Sequence, residues 1–189
     1  MPTTDEDSAA AESSRWQSDS AAAAPSTARL LADGGSEQPE PADTPTAIAD
    51  RFSVEGQTAV VTGASSGIGR AIAETFAADG ADVVICSREQ ENVDPVAEAI
   101  SAGPGGECVA VECDVTDPSA VDALIEVTVD EFGSLDVLVN NAGASFMASF
   151  DDISANGFQT ILDINLAGTA TCAREAAGHL ADGGGVVIN

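Results

Sequence analysis

The feature that most constrains the fold of this chain is a glycine-rich loop between an apolar strand and an amphipathic helix. Thr58–Thr62 reads TAVVT, and residues 62–69 read TGASSGIG. Apolar residues at helical spacing follow up to Asp79. A strand that enters a helix through glycines presents free backbone N–H groups and the positive end of the helix dipole. The segment therefore predicts a phosphate-binding turn in an α/β protein.

The remainder of the chain repeats the alternation of strand and helix. We predict strands at 81–87, 107–112, 135–140 and 186–189, and helices at 67–79, 93–102, 118–132 and 151–178. Such alternation implies a parallel sheet, and continuous apolar strands imply that helices cover both of its faces. The predicted fold class is α/β, a Rossmann-type doubly wound parallel sheet truncated after its fifth strand. Its ligand crevice would lie at the carboxyl ends of the strands.

The composition changes near residue 50. Residues 1–50 are rich in Ala, Ser, Thr, Pro and acids, so they cannot bury enough apolar area to offset the entropy of ordering. We predict a disordered acidic tail there and a nucleotide-binding domain over residues 51–189, incomplete at its C-terminus. A start codon assigned too far upstream is an alternative origin for the tail.

Charge excludes some classes of partner. The chain has 32 acidic residues and 6 basic ones, for a formal net charge of -26, and all six basic residues are Arg. Such a surface repels phosphate backbones and anionic lipid, so we expect neither nucleic acid nor membrane as a partner. Because about 1 M salt shortens the Debye length to about 3 Å, the charge pattern favours adaptation to molar salt. An ordinary acidic protein is the alternative.

Cysteine and histidine form no metal-ligand pattern. The thiols of Cys86, Cys108, Cys113 and Cys172 include no C-x-x-C pair, and the single His179 lies seven residues after the last of them. We predict no metal, with Cys86 as a small buried apolar residue of a strand. No stretch is apolar enough to span a membrane, and the N-terminus lacks the basic start of a signal peptide. We therefore expect the protein to be cytoplasmic.

Each glycine of the loop has an expected task. Gly63 would permit the tight turn, Gly67 would let the backbone approach a pyrophosphate, and Gly69 would allow close packing of helix on strand. An ordinary turn between strand and helix is the alternative interpretation. The predicted cofactor contacts in this loop are Gly63, Ser65, Ser66, Gly67, Ile68 and Gly69.

This G-x-x-x-G-x-G spacing resembles that of the short-chain dehydrogenase/reductase family in its classical form. Further segments over residues 52–189 are similar to family motifs in order and spacing. They are CDV with Asp114, NNAG at 140–143, NLAGT at 165–169 and GGGVVIN at 183–189. The resemblance implies that Asp114 contacts the adenine of a bound dinucleotide. It also implies cofactor contacts from Val115, Asn141, Ala142 and Gly143.

The end of the second strand indicates which dinucleotide is bound. NAD-preferring domains place an acid there for the ribose 2′-hydroxyl, whereas this chain has Ser87 followed by Arg88. Without the acid, Arg88 can bind a 2′-phosphate through charge-assisted hydrogen bonds. We therefore predict NADP as the cofactor in preference to NAD. The alternative is a surface Arg88 that pairs with Glu89 or Glu91.

Asn165 has two interpretations. It shares a helical stripe with Phe158, Ile161 and Leu162, so we expect it to face the sheet. It could be a core Asn whose hydrogen bonds are satisfied within a bent helix. The family resemblance implies instead a catalytic role, in which the matching Asn helps to hold a water of the proton relay.

The rest of the family's catalytic set is missing from these residues. The family uses a Ser after the fifth strand and a Tyr-x-x-x-Lys pair, whereas this sequence contains no Tyr and no Lys. We expect a fragment of an oxidoreductase that transfers hydride between NADP(H) and a carbonyl or alcohol, and no turnover by the fragment itself. The alternative is a non-catalytic nucleotide-binding module. It could pair with a full-length relative through the 151–178 helix, which also suggests a homo-oligomer.

Overall fold

The structure is a computed structural model that describes residues 52–189, except for the side chains of residues 150, 181 and 182. The predicted disordered tail, residues 1–50, lies outside the described residues. The strands are β1 (Thr58–Thr62), β2 (Asp82–Ser87), β3 (Cys108–Glu112), β4 (Val137–Val139) and β5 (Val186–Ile188). The α-helices are α1 (Gly67–Ala78), α2 (Gln90–Ser101), α3 (Pro118–Phe132), α4 (Ala155–Leu162) and α5 (Thr169–Gly183).

All five strands are parallel and lie in the order β3-β2-β1-β4-β5. The chain first winds outward from β1 to β3, then crosses back to place β4 on the other side of β1. The order therefore reverses between β1 and β4, where a doubly wound sheet opens its ligand crevice. This arrangement confirms the predicted fold class.

Alternate residues of the strands build a core on each face of the sheet. On one face, Val61, Val83 and Ile85 pack under α1 and α2. On the other, Val60, Val84 and Leu138 pack under α3 and α5. β1 is buried along its whole length, as expected for a central parallel strand covered on both sides.

Most predicted boundaries agree with the structure to within one or two residues, and α3 has the predicted limits. The start of α2 is different, since the helix begins at Gln90 instead of residue 93. β4 (Val137–Val139) is also shorter than predicted, although the Asp136 backbone still donates to the carbonyl of Thr58 at 2.9 Å and accepts from the N–H of Val186 at 2.8 Å. The Asp136 side chain adds a further contact. Its carboxylate accepts a hydrogen bond from the N–H of Thr58 at 2.9 Å.

The helix predicted over 151–178 is present only in part, because residues 155–183 are helical but the segment begins later, ends later and is not α-helical throughout. Residues 150–152 form a 3₁₀ turn, and α4 begins only after Ser154, whose hydroxyl accepts a hydrogen bond from the N–H of Gly157. A π-helical segment, Asp163–Gly168, then joins α4 to α5. α5 continues through Gly178 and ends where Gly184 takes a left-handed conformation.

Candidate cofactor-binding site

A cleft of about 410 Å³ opens at the carboxyl ends of β1, β2, β3 and β4. Its walls come from the four loops that leave these strands, so residues far apart in sequence meet there. The predicted residues that line it are Gly63, Ser65, Ser87, Arg88, Asp114, Val115, Asn141, Ala142 and Gly143. The remaining predicted loop residues, Ser66 to Gly69, are in the turn beside the cleft and the first turn of α1.

The glycine-rich loop provides a surface that an anion can approach. Gly63 and Gly67 have φ of 66° and 60°, in the left-handed region that favours glycine. A side chain added at Gly67 would meet no atom within 4 Å, so the backbone is open to a ligand there. Among the described residues, none accepts a hydrogen bond from the N–H of Ser65, Ser66, Gly67 or Ile68. These groups, at the start of α1, fit a pyrophosphate.

Thr62 and Asn141 join the loop after β1 to the loop after β4. The Thr62 hydroxyl accepts hydrogen bonds from the N–H groups of Asn141 and Ala142, at 3.1 and 3.0 Å. The Asn141 amide donates to the carbonyls of Thr62 and Gly63, at 2.9 and 3.1 Å. The two loops that bound the cleft therefore hold each other in place.

Gly69 is where α1 approaches this junction most closely. It is buried, and a Cβ at this position would lie 2.8 Å from the carbonyl oxygen of Gly63. The sequence prediction of close helix packing at Gly69 fits this geometry. Thr62, in contrast, was not predicted as a site residue, since its role depends on β4, which is distant along the chain.

Arg88 lies at the end of β2, on one side of the cleft. It is exposed, and among the described residues its guanidinium forms no ion pair with Glu89, Glu91 or any other acid. Ser87 is half-buried, and its hydroxyl donates to the carbonyl of Glu89 at 2.9 Å. The cleft therefore contains a cation that is free to bind an anionic ligand.

Asp114 faces Arg88 from the end of β3. The pKa of its carboxyl is lowered, first by the hydrogen bond from the N–H of Thr116 and then by the Thr116 hydroxyl and the charge of Arg88. The bonds from Thr116 are 2.9 and 2.8 Å long. A negatively charged acceptor is thus fixed in the cleft at neutral pH.

Several lining residues were not predicted from the sequence: Glu89, Asn92, Cys113, Ala144 and Ile164. Glu89 directly precedes α2 and Asn92 lies in its first turn. They were missed because this helix starts earlier than predicted. Ile164 belongs to the π-helical segment, which the periodicity of the sequence does not indicate. Ala144 and Cys113 directly adjoin predicted residues.

The thiols are free and buried, which confirms the interpretation of Cys86 as a small core residue. Burial raises the pKa of Cys108 and of Cys172 to about 12. The hydrogen bond between Cys86 and Cys113 raises the pKa of the Cys86 thiol, and burial raises it further. Over the described ranges, no three metal-binding side chains come together, and no helix has the length and hydropathy needed to cross a membrane.

Asn165 lies beside the cleft, in a neighbouring cavity of about 380 Å³. Asn165 was expected to face the sheet, whereas its side chain is exposed and turns to the loop after β4. Its amide oxygen accepts from the N–H of Ala144 at 2.8 Å, and its amide nitrogen donates to the carbonyl of Ala144 at 2.9 Å. The π-helical segment carries Asn165 into this paired contact. Asn140 and Asn189 also line the cavity.

Comparison with known proteins agrees with this geometry. The family model described as short chain dehydrogenase matches residues 57–189. An uncharacterised oxidoreductase of Methylorubrum extorquens is 42% identical over 71% of this chain and 54% of its own length. A D-threitol dehydrogenase of Mycolicibacterium smegmatis is 38% identical over 73% of this chain and 53% of its own length. The chain therefore spans about half the length of the curated relatives it matches.

Solved structures give the same result. A short-chain type dehydrogenase/reductase from Mycobacterium marinum superposes with a TM-score of 0.70 at 35% identity, over 75% of this chain and 56% of that one. An alcohol dehydrogenase from Thermococcus sibiricus, complexed with 5-hydroxy-NADP, superposes with a TM-score of 0.66 at 29% identity. That match covers 69% of this chain and 56% of the other. The strand order, the glycine-rich loop and the family match together show that this chain belongs to the short-chain dehydrogenase/reductase family.

Proposed function

We propose that residues 51–189 form the NADP(H)-binding part of an oxidoreductase that interconverts a carbonyl and an alcohol. The observation that carries this proposal is the placement of the unpaired Arg88 in the same cleft as the open glycine-rich loop. Two phosphate-binding elements, one for a pyrophosphate and one for a 2′-phosphate, therefore lie on adjacent strand ends. A dinucleotide with both groups fits this pair better than NAD does.

Each part of the cleft has a proposed task in holding the cofactor. The N–H groups of residues 65–68 would bind the pyrophosphate, and Arg88 would bind the 2′-phosphate. Asp114 would accept a hydrogen bond from the adenine amino group, and Val115 would pack beside the ring. Residues 141–143 would line the side nearer the nicotinamide. When bound, NADPH supplies a hydride to the carbonyl carbon, and the carbonyl oxygen gains a proton to give the alcohol.

Asn165 is the family's catalytic position that these residues contain. Its paired contact with Ala144 uses both polar ends of the amide, so we propose that it fixes the loop at the edge of the cofactor cleft. Membership of the family is the reason to propose that it also helps to hold a water there. Residues 1–189 contain no Tyr and no Lys. We therefore expect cofactor binding without turnover by this chain alone, because a positioned general acid typically contributes about 10²–10⁴ to the rate.

The names of similar proteins support the class of reaction. Relatives include the D-threitol dehydrogenase and a peroxisomal 2,4-dienoyl-CoA reductase of Arabidopsis thaliana, the latter 36% identical over 72% of this chain and 48% of its own length. The first name indicates oxidation of an alcohol, and the second indicates reduction of a carbon–carbon double bond in an acyl thioester. The names therefore support an oxidoreductase, and the carbonyl/alcohol reaction is our proposal.

Substitution of Arg88 tests the proposed cofactor. Arg88→Ala removes charge-assisted bonds to a 2′-phosphate, so the dissociation constant for NADPH should rise about 10- to 100-fold while that for NADH changes little. Titrations that follow the intrinsic fluorescence of NADPH and of NADH measure the two dissociation constants. Arg174→Ala is the matched control, since Arg174 is exposed, pairs with Glu175 and does not line the cleft. Equal losses for NADPH and NADH in Arg88→Ala would contradict the proposal.

A non-catalytic nucleotide-binding module is the second candidate function. The cofactor cleft supports it, because the lining of the cleft comes from residues within 52–189. Purified chain should then bind NADPH but leave its absorbance at 340 nm unchanged in the presence of a panel of aldehydes and ketones. Oxidation of NADPH that depends on a carbonyl compound would exclude this candidate and would show that an unrecognised group donates the proton.

We also propose that the protein works in a cytoplasm of molar salt. A formal net charge of -26 on 189 residues supports this, since such repulsion is tolerable when exposed carboxylates are screened.

A further inference from the structure

Three carboxylates line cavities that Arg88 also borders, and each accepts a hydrogen bond from a neutral side chain. Glu89 and Asp114 line the cofactor cleft with Arg88, and Asp163 lines an adjoining cavity of about 450 Å³ that Arg88 also borders. The Asn92 amide donates to Glu89 at 2.6 Å, Thr116 donates to Asp114, and the Gln159 amide donates to Asp163 at 2.7 Å. None of the three acids reaches the guanidinium within ion-pair distance.

This pattern matters because cations are scarce in this chain. Acids outnumber bases 32 to 6 in the sequence. Among the described residues, Arg70 forms an ion pair with Glu74, and Arg174 forms one with Glu175. An acid that paired with Arg88 would compete directly with an incoming 2′-phosphate. Neutral amides and hydroxyls can satisfy these carboxylates without adding a second cation that would itself attract phosphate.

Glu89 is the acid that adjoins Arg88 in the sequence. Its backbone carbonyl is fixed by the Ser87 hydroxyl and by the N–H of Asn92. Its carboxylate is therefore on a short tether, and the position of that carboxylate depends on one amide. Asn92 stands one helical turn further on, where its side chain can reach back to Glu89.

We propose that Asn92 is a positioning residue for cofactor specificity, which keeps the Glu89 carboxylate away from Arg88 so that the guanidinium stays available to a 2′-phosphate. This inference rests on the proposed NADP function. It assigns the preference for the 2′-phosphate to a pair of residues, Arg88 as the binding group and Asn92 as the residue that prevents its neutralisation.

Three variants separate this role from simple capping of α2. Asn92→Ala releases Glu89, which should pair with Arg88 and weaken binding of a 2′-phosphate about two- to fivefold, the range of an exposed ion pair. Glu89→Gln removes a negative charge beside the phosphate and should tighten binding by a similar factor. The double variant Glu89→Gln/Asn92→Ala should restore at least wild-type affinity, because no carboxylate remains to be released.

Calorimetric titration of the full chain with adenosine 2′,5′-bisphosphate and with 5′-AMP tests the inference. The dissociation constant for 5′-AMP divided by that for the bisphosphate measures the contribution of the 2′-phosphate to binding. Gln90→Ala is the control for loss of side-chain hydrogen bonds in the same helix turn. Gln90 donates to Asp94 at 2.6 Å and to the carbonyl of Ala110 at 3.1 Å, and neither Gln90 nor Asp94 lines the cleft. Thermal melting in parallel reports any loss of helix capping.

The outcomes distinguish this inference from the function on which it rests. A ratio that falls in Asn92→Ala, recovers in the double variant and stays constant in Gln90→Ala supports the role of Asn92. A wild-type preference for the bisphosphate that Asn92→Ala leaves intact overturns the inference alone. A double variant no better than Asn92→Ala assigns the effect to helix capping and also overturns it. No wild-type preference for the bisphosphate overturns the NADP assignment as well.

Discussion

The two sides of the sheet differ in how completely the described residues cover them. β1 is buried throughout, and the cofactor cleft beside it is held by hydrogen bonds between loops. On the other side, the side chains of β5 are 41–53% exposed, and α4 has no buried residue. The cleft is thus built from contacts within residues 52–189, whereas the surroundings of Asn165 are open. Cofactor binding should therefore be a property of this chain even if catalysis is not.

The largest expected effect is a difference in the free energy of unfolding between two substitutions on adjacent strands. Leu138 of β4 is fully buried and lies opposite Val187 of β5, which is 41% exposed. Leu138→Ala should lower the free energy of unfolding by about 2–5 kcal/mol, because it leaves a cavity in the core. Val187→Ala should cost about 1 kcal/mol or less, since much of the side chain is already in water. Urea unfolding measures both, and similar losses would contradict the comparison.

Removal of the Thr62 hydroxyl tests the junction between the cleft loops. Thr62→Val leaves two backbone N–H groups without their acceptor, so we expect a loss of about 1–3 kcal/mol in stability together with weaker NADPH binding. Thr128→Val is the control, because Thr128 is equally buried and its hydroxyl bonds only to a carbonyl within its own helix. It should cost at most about 1 kcal/mol and leave NADPH binding unchanged. If Thr62→Val binds NADPH normally, the junction does not shape the cleft.

Added salt should increase the thermal stability of the two regions to a similar extent. Exposed carboxylates occur on both, for example Glu74 and Asp94 on one and Asp151 on the other. Because potassium chloride screens their repulsion, the melting temperature should rise by several degrees between about 0.1 and 1 M salt. The gap between Leu138→Ala and Val187→Ala should persist across that range. A wild-type melting temperature that falls with salt would refute the proposed adaptation.

The smallest effect concerns the Asp114 carboxyl. Its folded-state pKa is below the unfolded value, so its contribution to stability is present above the unfolded pKa and is lost as the pH falls through the folded pKa. We expect Asp114→Asn to be less stable than wild type at neutral pH, with the difference disappearing in acid. The effect should be small because the group is largely solvated. Thermal melts from neutral to acidic pH check it, and a difference that grows in acid would contradict this sign.

The elements that sequence predicts well here are those with local signals. α3 is bounded by Asp117, whose carboxylate accepts from the N–H of Ser119, and by Gly133 in the left-handed region. The glycine-rich loop is similarly local, so both could be located from neighbouring residues alone. The junction made by Thr62 and the environment of Asn165 could not. They depend on partners 79 and 21 residues away, and periodicity carries no information about such contacts.

Hydrogen exchange of backbone amides with and without NADP⁺ tests the central claim most directly. If the cleft is the cofactor site, exchange should slow in the glycine-rich loop at residues 63–69 and in residues 87–92 and 140–143. β5 should be unaffected, because it does not line the cleft. Protection confined to β5 and the region around Asn165, or no protection in the glycine-rich loop at saturating NADP⁺, would contradict the assignment of this cleft to the cofactor.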